Sequence, residues 1–514
     1  MRTWVQAVLG CLLWAAAPVG AAHAQTAATA GADAQKTAQL AEKIEAISSA
    51  LEATERQIEQ SQRQMQELQQ QLIELRQELA GPATETTATP PPSNEPAANP
   101  DARITAIEER QQTIEAAVKL HDQTKVESGS KYPVRLTGLI LFNAYLNRGV
   151  TDNTDLPAFA LRPTSTSGSG NMGASLRQTI LGVQGDGPRI GGAHTSANVN
   201  LDFFSSVSYT SYGTSAGTVR MRTGSIDFDW DKNSLQVGLV APLIAPLSPD
   251  SYATVAEPSL AGAGNLWTWA PQLRYTHRFP LEQGRRMQFE FGLWDSPAAG
   301  YNGNQLFRTS SPAELEEQPS YESRVSYVAP GDHGLQIGVG GYSSRQAYPG
   351  YQGYTGTEHL DSWATTLDFR LPLSTHFELS GEGYRGRALG GLGGGVYKDV
   401  VTGTDPVTGE SALHGLNAIG GWTQWKTRFS ETLDANFSIG LDDGFARDFH
   451  AVVQSPTASA TQLRARNRMF VANLIFRPKT YIILSPEYRR IWSWPIAGPG
   501  STLDVFTLSA GYQF

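Results

Sequence analysis

Charged side chains at every second residue of otherwise apolar segments are where this chain could act on a solute. In residues 269–279 (WAPQLRYTHRF) the odd positions are largely apolar or aromatic, whereas Gln272, Arg274, Thr276 and Arg278 fall on the even ones. A two-residue period places the two sets on opposite faces of a strand. The same phase puts Arg286, Glu290, Arg324, Arg370, Glu487 and Arg489 on the polar faces of their own segments. Together with Arg274 and Arg278, these are the candidates to line a water-filled passage. Extending the phase adds Lys426 and Arg428 on the basic side, and Asp202, Glu322, Asp368, Glu378, Glu382 and Asp434 on the acidic side. Eight residues of each sign give no net preference for anions or cations. Separated ladders that create a transverse field and locally paired wall charges both fit this census.

A second group of candidates sits in residues 242–267. This stretch is unusually apolar for a loop and is stiffened by Pro242, Pro246, Pro249 and Pro258. It is expected to fold into the passage and narrow it, with Asp250, Tyr252 and Glu257 near the constriction. The competing reading packs it at a subunit interface or over the mouth. Signals for catalysis are weak. No Gly-x-Ser-x-Gly elbow joins a strand to a helix, and the nine His are dispersed without metal-ligand spacing. Asp152-Asn153-Thr154-Asp155 could hold a cation, but such runs are usually solvated loop residues. The glycines of 390–395 (GGLGGG) read as a flexible loop tip. Neither an enzyme, a metal nor a cofactor is expected.

The elements that must position these residues are strands. From Lys131 onward sixteen candidates follow: about 133–146, 175–185, 195–206, 217–230, 233–241, 268–279, 286–294, 321–329, 334–343, 362–371, 376–387, 416–426, 432–441, 466–477, 480–491 and 502–514. Alternation is clear in most; it is poor in 133–146 and 175–185. Short connections such as 231–232, 280–285 and 478–479 alternate with long Gly/Ser/Asn-rich ones near 147–174, 207–216, 242–267, 295–320, 344–361, 388–415, 442–465 and 492–501. Eight long loops all at one end describe a sixteen-stranded transmembrane barrel of the outer-membrane kind. A barrel this wide leaves an aqueous lumen. The chain closes on Tyr512-Gln513-Phe514, a terminal aromatic with another two residues before it. That ending resembles the signal by which bacterial outer-membrane barrels are recognised, which implies the barrel-assembly machinery as a partner and Tyr512 and Phe514 as the signal.

The beginning of the chain is different. Arg2, the apolar run from Val5 to Ala17 and Ala22-His23-Ala24 read as a cleavable export signal over 1–24. It contains Cys11, the single cysteine, so the exported chain is expected to be thiol-free. Residues 36–80 carry a heptad seam through Leu40, Ile44, Ile47, Leu51, Thr54, Ile58, Ser61, Met65, Leu68, Leu72, Leu75 and Leu79. So narrow an apolar stripe can be buried only against copies of itself, as a coiled coil; mixed Ile and Leu permits a trimer without fixing it. A Pro/Thr/Ala linker (81–100) follows, then a short helix (101–125) that Asp101 would cap. After the signal no run of 18 apolar residues could form a spanning helix. Gly is abundant at 51 and charged residues make up only 17%, which suits strands and open loops. A formal charge of −9 with no basic stripe argues against nucleic acid.

An export signal, a heptad helix, a Pro-rich spacer and a sixteen-stranded barrel resemble the DcaP-like trimeric porins. Residues 238–246 (GLVAPLIAP) and 269–275 (WAPQLRY) are similar to that family around its third loop. The resemblance implies a homotrimer in the bacterial outer membrane, with its coiled coil in the periplasm, passing small hydrophilic solutes and small organic anions among them. The phosphate-selective porins are similar in architecture, but no Arg/Lys ladder here is dense enough to carry over their site. The expectation is therefore a passive outer-membrane porin contacting membrane lipid. The rival reading is a tether, in which the barrel anchors a coiled coil that contacts the cell wall or a partner.

Overall fold

Strands that are apolar on one face and polar on the other cannot leave their edges open in lipid, where unpaired backbone groups find no water. The computed structural model of this chain resolves that constraint by closing the sheet on itself. It describes residues 133–209, 215–298, 309–331, 334–350, 356–455 and 458–514. The main sheet contains seventeen hydrogen-bonded segments, two of which occupy the same edge of the first strand and form one interrupted strand. The described residues thus build a barrel of sixteen strands. They are β1 (Val134–Arg148), β2 (Gly170–Ser175 and Ile180–Asp186), β3 (His194–Asp202), β4 (Arg220–Asp229), β5 (Asn233–Val240) and β6 (Ala270–Pro280). There follow β7 (Arg286–Trp294), β8 (Ser320–Val328), β9 (Gln336–Pro349), β10 (Thr357–Pro372) and β11 (Phe377–Arg387). The wall is completed by β12 (Asn417–Ser430), β13 (Leu433–Gly444), β14 (Arg464–Lys479), β15 (Ile482–Pro495) and β16 (Ser501–Gln513).

Each strand pairs antiparallel with its sequence neighbours, and β16 closes on β1 from Leu139↔Gln513 to Arg148↔Asp504. Phe514 extends that seam: its N–H donates to Gly138 O at 3.0 Å, and its own carbonyl accepts from Gly138 N–H at 2.8 Å. The alternation decides the facing. On β16 Phe506, Leu508 and Tyr512 point outward and are exposed, whereas Leu503, Val505, Thr507 and Ser509 point inward and are buried. On β13 Phe437, Ile439 and Leu441 point out, and Asp434, Asn436 and Ser438 point in.

The strands differ from the sequence-based ranges in two instructive ways. First, β2 is broken at 176–179, and Gln178 and Thr179 turn inward there; Thr179 Oγ1 accepts from Leu141 N–H at 3.1 Å. This break, and an inward Leu141 that is fully buried, explain why alternation is poor in β1 and β2. Second, β9, β10 and β15 run several residues further at their long-loop ends than expected. There the wall rises above the apolar band, so Ser344, Gln346 and Ser362 need no lipid-facing partner residues to mark the pattern. Short ribbons stiffen three long loops: Val150–Thr151 with Ala160–Leu161, Val207–Tyr209 with Ser215–Gly217, and Val400–Thr404 with Ser411–Gly415. The expected export signal, coiled coil, linker and short helix (1–24, 36–80, 81–100 and 101–125) lie outside the described residues.

The packed core is inside the barrel, where an open lumen would have none. One cluster joins Ile244 and Leu266 to Trp294, Tyr342, Tyr384 and Leu392. A second joins Leu247 and Leu260 to Trp422, Met469, Ile491 and Leu503. The β5–β6 connection makes both against the inner wall, and Leu392 of the β11–β12 connection joins the first.

Candidate functional site

The β5–β6 loop enters the barrel and follows its inner wall, and inward side chains meet it strand after strand. Glu322 on β8 accepts from Leu243 N–H at 2.8 Å. Glu382 on β11 accepts from Leu247 N–H at 2.7 Å and from Trp422 Nε1 at 3.3 Å. On β12, Gln424 Oε1 accepts from Asp250 N–H at 2.7 Å, and Lys426 Nζ donates to the Asp250 carboxylate at 3.0 Å. Asn473 on β14 donates to Asp250 O at 2.8 Å, and Ser251 Oγ donates to Glu487 on β15 at 2.6 Å. The loop next reaches the break in β2, where Gln178 accepts from Val255 and Ala256 N–H at 2.7 and 2.9 Å and donates to Ala253 O. Finally Arg220 on β4 donates to Ala256 O at 2.9 Å. The prolines that stiffen this loop remove backbone donors that would otherwise need partners here.

The wall makes room for the backbone with glycine. A Cβ on Gly440 would stand 2.1 Å from Ala263 O, and one on Gly264 (φ +96°) would stand 2.3 Å from Gly421 O. At these two contacts the loop backbone lies directly on the sheet, and only glycine permits that approach.

All eight charged candidates point into the barrel, but they do different things. Arg324 is buried and grips Asp368 with two bonds of 2.8 and 2.7 Å while donating to Glu290 at 2.7 Å. Glu487 and Arg489 lie side by side at 3.3 Å, both covered, with Arg489 also reaching Pro157 O at 3.3 Å. Arg274 donates to Ala241 O and Gln272, at the root of the loop. These five hold the wall and the loop. Arg278 pairs with Asp229 at 2.9 Å, and Arg286 reaches Gln288 at 3.4 Å, both near the short-turn rim. Arg370 is inward and half-buried at the same end of β10.

The three loop candidates separate as well. Asp250, whose side chain is 41% exposed, faces Lys426 beside Asp434 and Arg477. Tyr252 lies under the Arg477 guanidinium, 5.8 Å from the ring centre. Glu257 lies on the opposite side of the loop among Arg220, Asp152 and Asp155. Burial pushes its carboxyl up to about 7; Arg220 opposes that, and the two aspartates add to it. Tyr512 and Phe514 are outward and exposed at the short-turn end of β16.

A basic cluster escaped the sequence reading. Arg177, Arg220 and Arg222 converge beside the loop. Arg220 holds Asp202 at 2.7 Å, Arg222 stands 3.5 Å from the same carboxylate, and Arg177 holds Asp155 at 3.0 Å. Their guanidinium groups lie on aromatic faces: Arg177 over Phe204 at 4.2 Å and Arg222 over Trp269 at 4.5 Å. The two-residue spacing of Arg220 and Arg222 was the available signal, since it puts both on one face of β4. Gln178 could not be found that way, because it acts from a break in its strand. Gln424 and Asn473 share the inward phase of their strands and were legible by it.

A sixteen-stranded barrel with one long loop laid along its inner wall defines a porin-type architecture. No protein-family model matches the sequence, and no curated protein matches it. Solved structures do. The outer-membrane channel DcaP of Acinetobacter baumannii aligns with a TM-score of 0.56 at 14% identity, over 75% of this chain and 99% of that one. An anion-selective porin from Comamonas acidovorans aligns with a TM-score of 0.46 at 11% identity, over 75% of this chain and 100% of that one. At these identities the likeness is one of fold.

Proposed function

We propose that this chain is a bacterial outer-membrane porin through which small hydrophilic solutes diffuse passively, small organic anions among them. The observation that carries the reading is the β5–β6 loop, pinned along the inner wall with charged groups on either side of it. Such an arrangement narrows a wide lumen without filling it with catalytic groups. The basic cluster supports the anion preference: three arginines, each still partly open, face two aspartates that are more deeply covered. Guanidinium groups suit carboxylate solutes because their N–H donors match the two carboxylate oxygens. DcaP, which aligns with this chain in fold, is itself described as an outer-membrane channel.

The assembly is a homotrimer. Outward apolar residues crowd one side of the barrel, with Met172 80%, Val219 57%, Met221 55% and Ile226 53% exposed on or beside β2 and β4. A face so apolar is where neighbouring subunits would pack. The coiled coil of 36–80 stands in the periplasm and holds the three chains together. Asp250, Tyr252 and Glu257 set the constriction, and Tyr512 and Phe514 present the assembly signal to the barrel-assembly machinery.

Purified protein in planar bilayers tests the channel. Stepwise conductance is expected, with reversal potentials in a salt gradient that favour anions, measured for chloride and for small dicarboxylates. Protein that inserts but opens no channels would favour the tether reading, in which the coiled coil is the functional part.

A further inference from the structure

The outer surface carries a groove that conduction does not use and that the proposed trimer contact reaches at its edge, Met172. On the long strands, Phe437, Leu474, Tyr488, Phe506, Leu508 and Leu146 wall a groove of about 590 Å³ on the membrane face. Its floor is low because Ala144, Ala472 and Pro486 occupy outward positions where the neighbouring strands carry large side chains. Two residues further along the same strands, toward the long-loop end, the apolar surface gives way to arginine. Arg148 follows Leu146, and Arg490 follows Tyr488; both stand opposite Asp504 in the ladder. Arg468 lies on the next strand, opposite Trp492. Adjacent strands are about 4.8 Å apart, so Arg148 and Arg490, two strands apart, are on the order of 10 Å from one another.

These arginines are held in place but are short of counter-charge. Arg148 lies over Phe506 at 5.5 Å, and Arg468 and Arg490 lie over Trp492 at 5.2 and 5.4 Å. Among the described residues Arg148 and Arg468 have no ion pair, and Nε of Arg490 makes no hydrogen bond. The one nearby carboxylate, Asp504, stands 3.7 Å from Arg490 and already accepts from Tyr488 Oη at 2.7 Å. Three cations with one carboxylate among them, stacked on aromatics at the top of a lipid-facing groove, are complementary to an anion carried on an acyl chain. The groove lies mainly on β13 to β16, with Ala144, Tyr145 and Leu146 of β1 at its far edge, and it meets the proposed subunit contact at Met172.

We infer that this face binds a phosphorylated lipid of the leaflet on the long-loop side, with an acyl chain in the groove and phosphate on Arg148, Arg468 and Arg490. The inference rests on the membrane reading above, because the groove is lipid-facing only in that setting. The test uses the full chain in detergent and native mass spectrometry, with diphosphoryl lipid A and its dephosphorylated form as probes. Discrete adducts are expected with the diphosphoryl lipid and not with the dephosphorylated one. The variant R148Q/R468Q/R490Q should lose affinity about tenfold or more, while R345Q, another outward arginine that faces Glu316, should bind as the parent does. Ala472→Trp, which fills the groove without touching charge, should weaken binding as well. Equal binding by the triple variant and the parent overturns the inference. So does disulfide-linked dimer formed efficiently through Leu508→Cys, which would assign the groove to a second copy. Conductance steps retained by the triple variant show that the channel reading stands whatever the lipid result.

Discussion

The loop inside the barrel is held by a few carboxylates, and removing two of them should release a defined part of it. Glu382 accepts from Leu247 N–H at 2.7 Å and Glu487 accepts from Ser251 Oγ at 2.6 Å. Hydrogen bonds to charged acceptors contribute about 1.5–3 kcal/mol each, so E382A/E487A should lower the cost of opening residues 247–253 by about 3–6 kcal/mol. The rest stays seated, because Glu322 still holds Leu243 and because Ile244, Leu260 and Leu266 remain buried in their clusters. At 1.4 kcal/mol per factor of ten, the open population should rise by about 10² to 10⁴. The readout is a thiol at Ala253, which is 1% exposed, in a chain whose other cysteine, Cys11, lies in the expected export signal. The labelling rate of Ala253→Cys by a small charged thiol reagent follows the opened fraction. It should rise by about 10² or more in the double alanine variant. In E382Q/E487Q, which keeps an acceptor oxygen at each site, the rise should be much smaller. An unchanged rate in the alanine variant would show that apolar packing alone seats the loop, and the argument from the carboxylates would fail.

Four other outcomes are expected. Deleting 248–262 should raise single-channel conductance, and an unchanged value would mean the loop does not limit the passage. Glu257, held near pH 7 by burial, is neutral below that pH and charged above it. Neutralising it leaves Arg220 less compensated, so anion preference should grow as pH falls through 7; in E257Q reversal potentials should be anion-favouring and flat across that range. Arg324→Gln should lower the thermal midpoint of the barrel, because it strands Asp368 and Glu290 as buried charges, a loss of about 3–5 kcal/mol. Removing 36–80 should make the trimer dissociate at lower temperature on a gel; a trimer of equal heat resistance would show that barrel contacts suffice.

Most of the barrel was legible because lipid enforces its pattern. Wherever one face of a strand must be apolar, as in β6, β10 and β13, the period of two survives and gives the facing of Arg274, Asp368 and Asp434 correctly. Legibility failed where that pressure lapses. Above the apolar band β9 and β10 continue without large apolar outward residues, so the end of β9 was placed too early and the start of β10 too late. At the break in β2 the chain leaves the ladder to aim Gln178 at the loop, and no periodic rule anticipates a residue that works by interrupting its strand. The site was legible as a set of inward charges and an apolar loop. What each charge does was hidden, because that depends on where the loop crosses the wall. The crossing points are set by contacts between residues more than seventy positions apart, such as Leu243 with Glu322 and Asp250 with Gln424.

That dependence also changes what a charge census can say. Counting inward residues weights Arg324 and Arg428 equally, yet a passing solute meets only the charge that water reaches. Arg324, Asp368, Glu487 and Arg489 lie beneath other groups and neutralise one another at close range, so their fields largely cancel within the wall. Asp250, Arg428 and Arg477 remain partly open on the β12–β14 side, and Arg177, Arg220 and Arg222 on the β2–β4 side. Among those six open side chains a single carboxylate faces five cations. Asp202, Asp155, Asp434 and Glu378 still screen them from below, each bonded to one or two. A solute carboxylate entering between the two groups therefore finds guanidinium edges in front of it and carboxylates behind them. The selectivity of such a passage follows from this depth ordering, and substitutions among the open cations should move reversal potentials more than equal changes of charge among the covered ones.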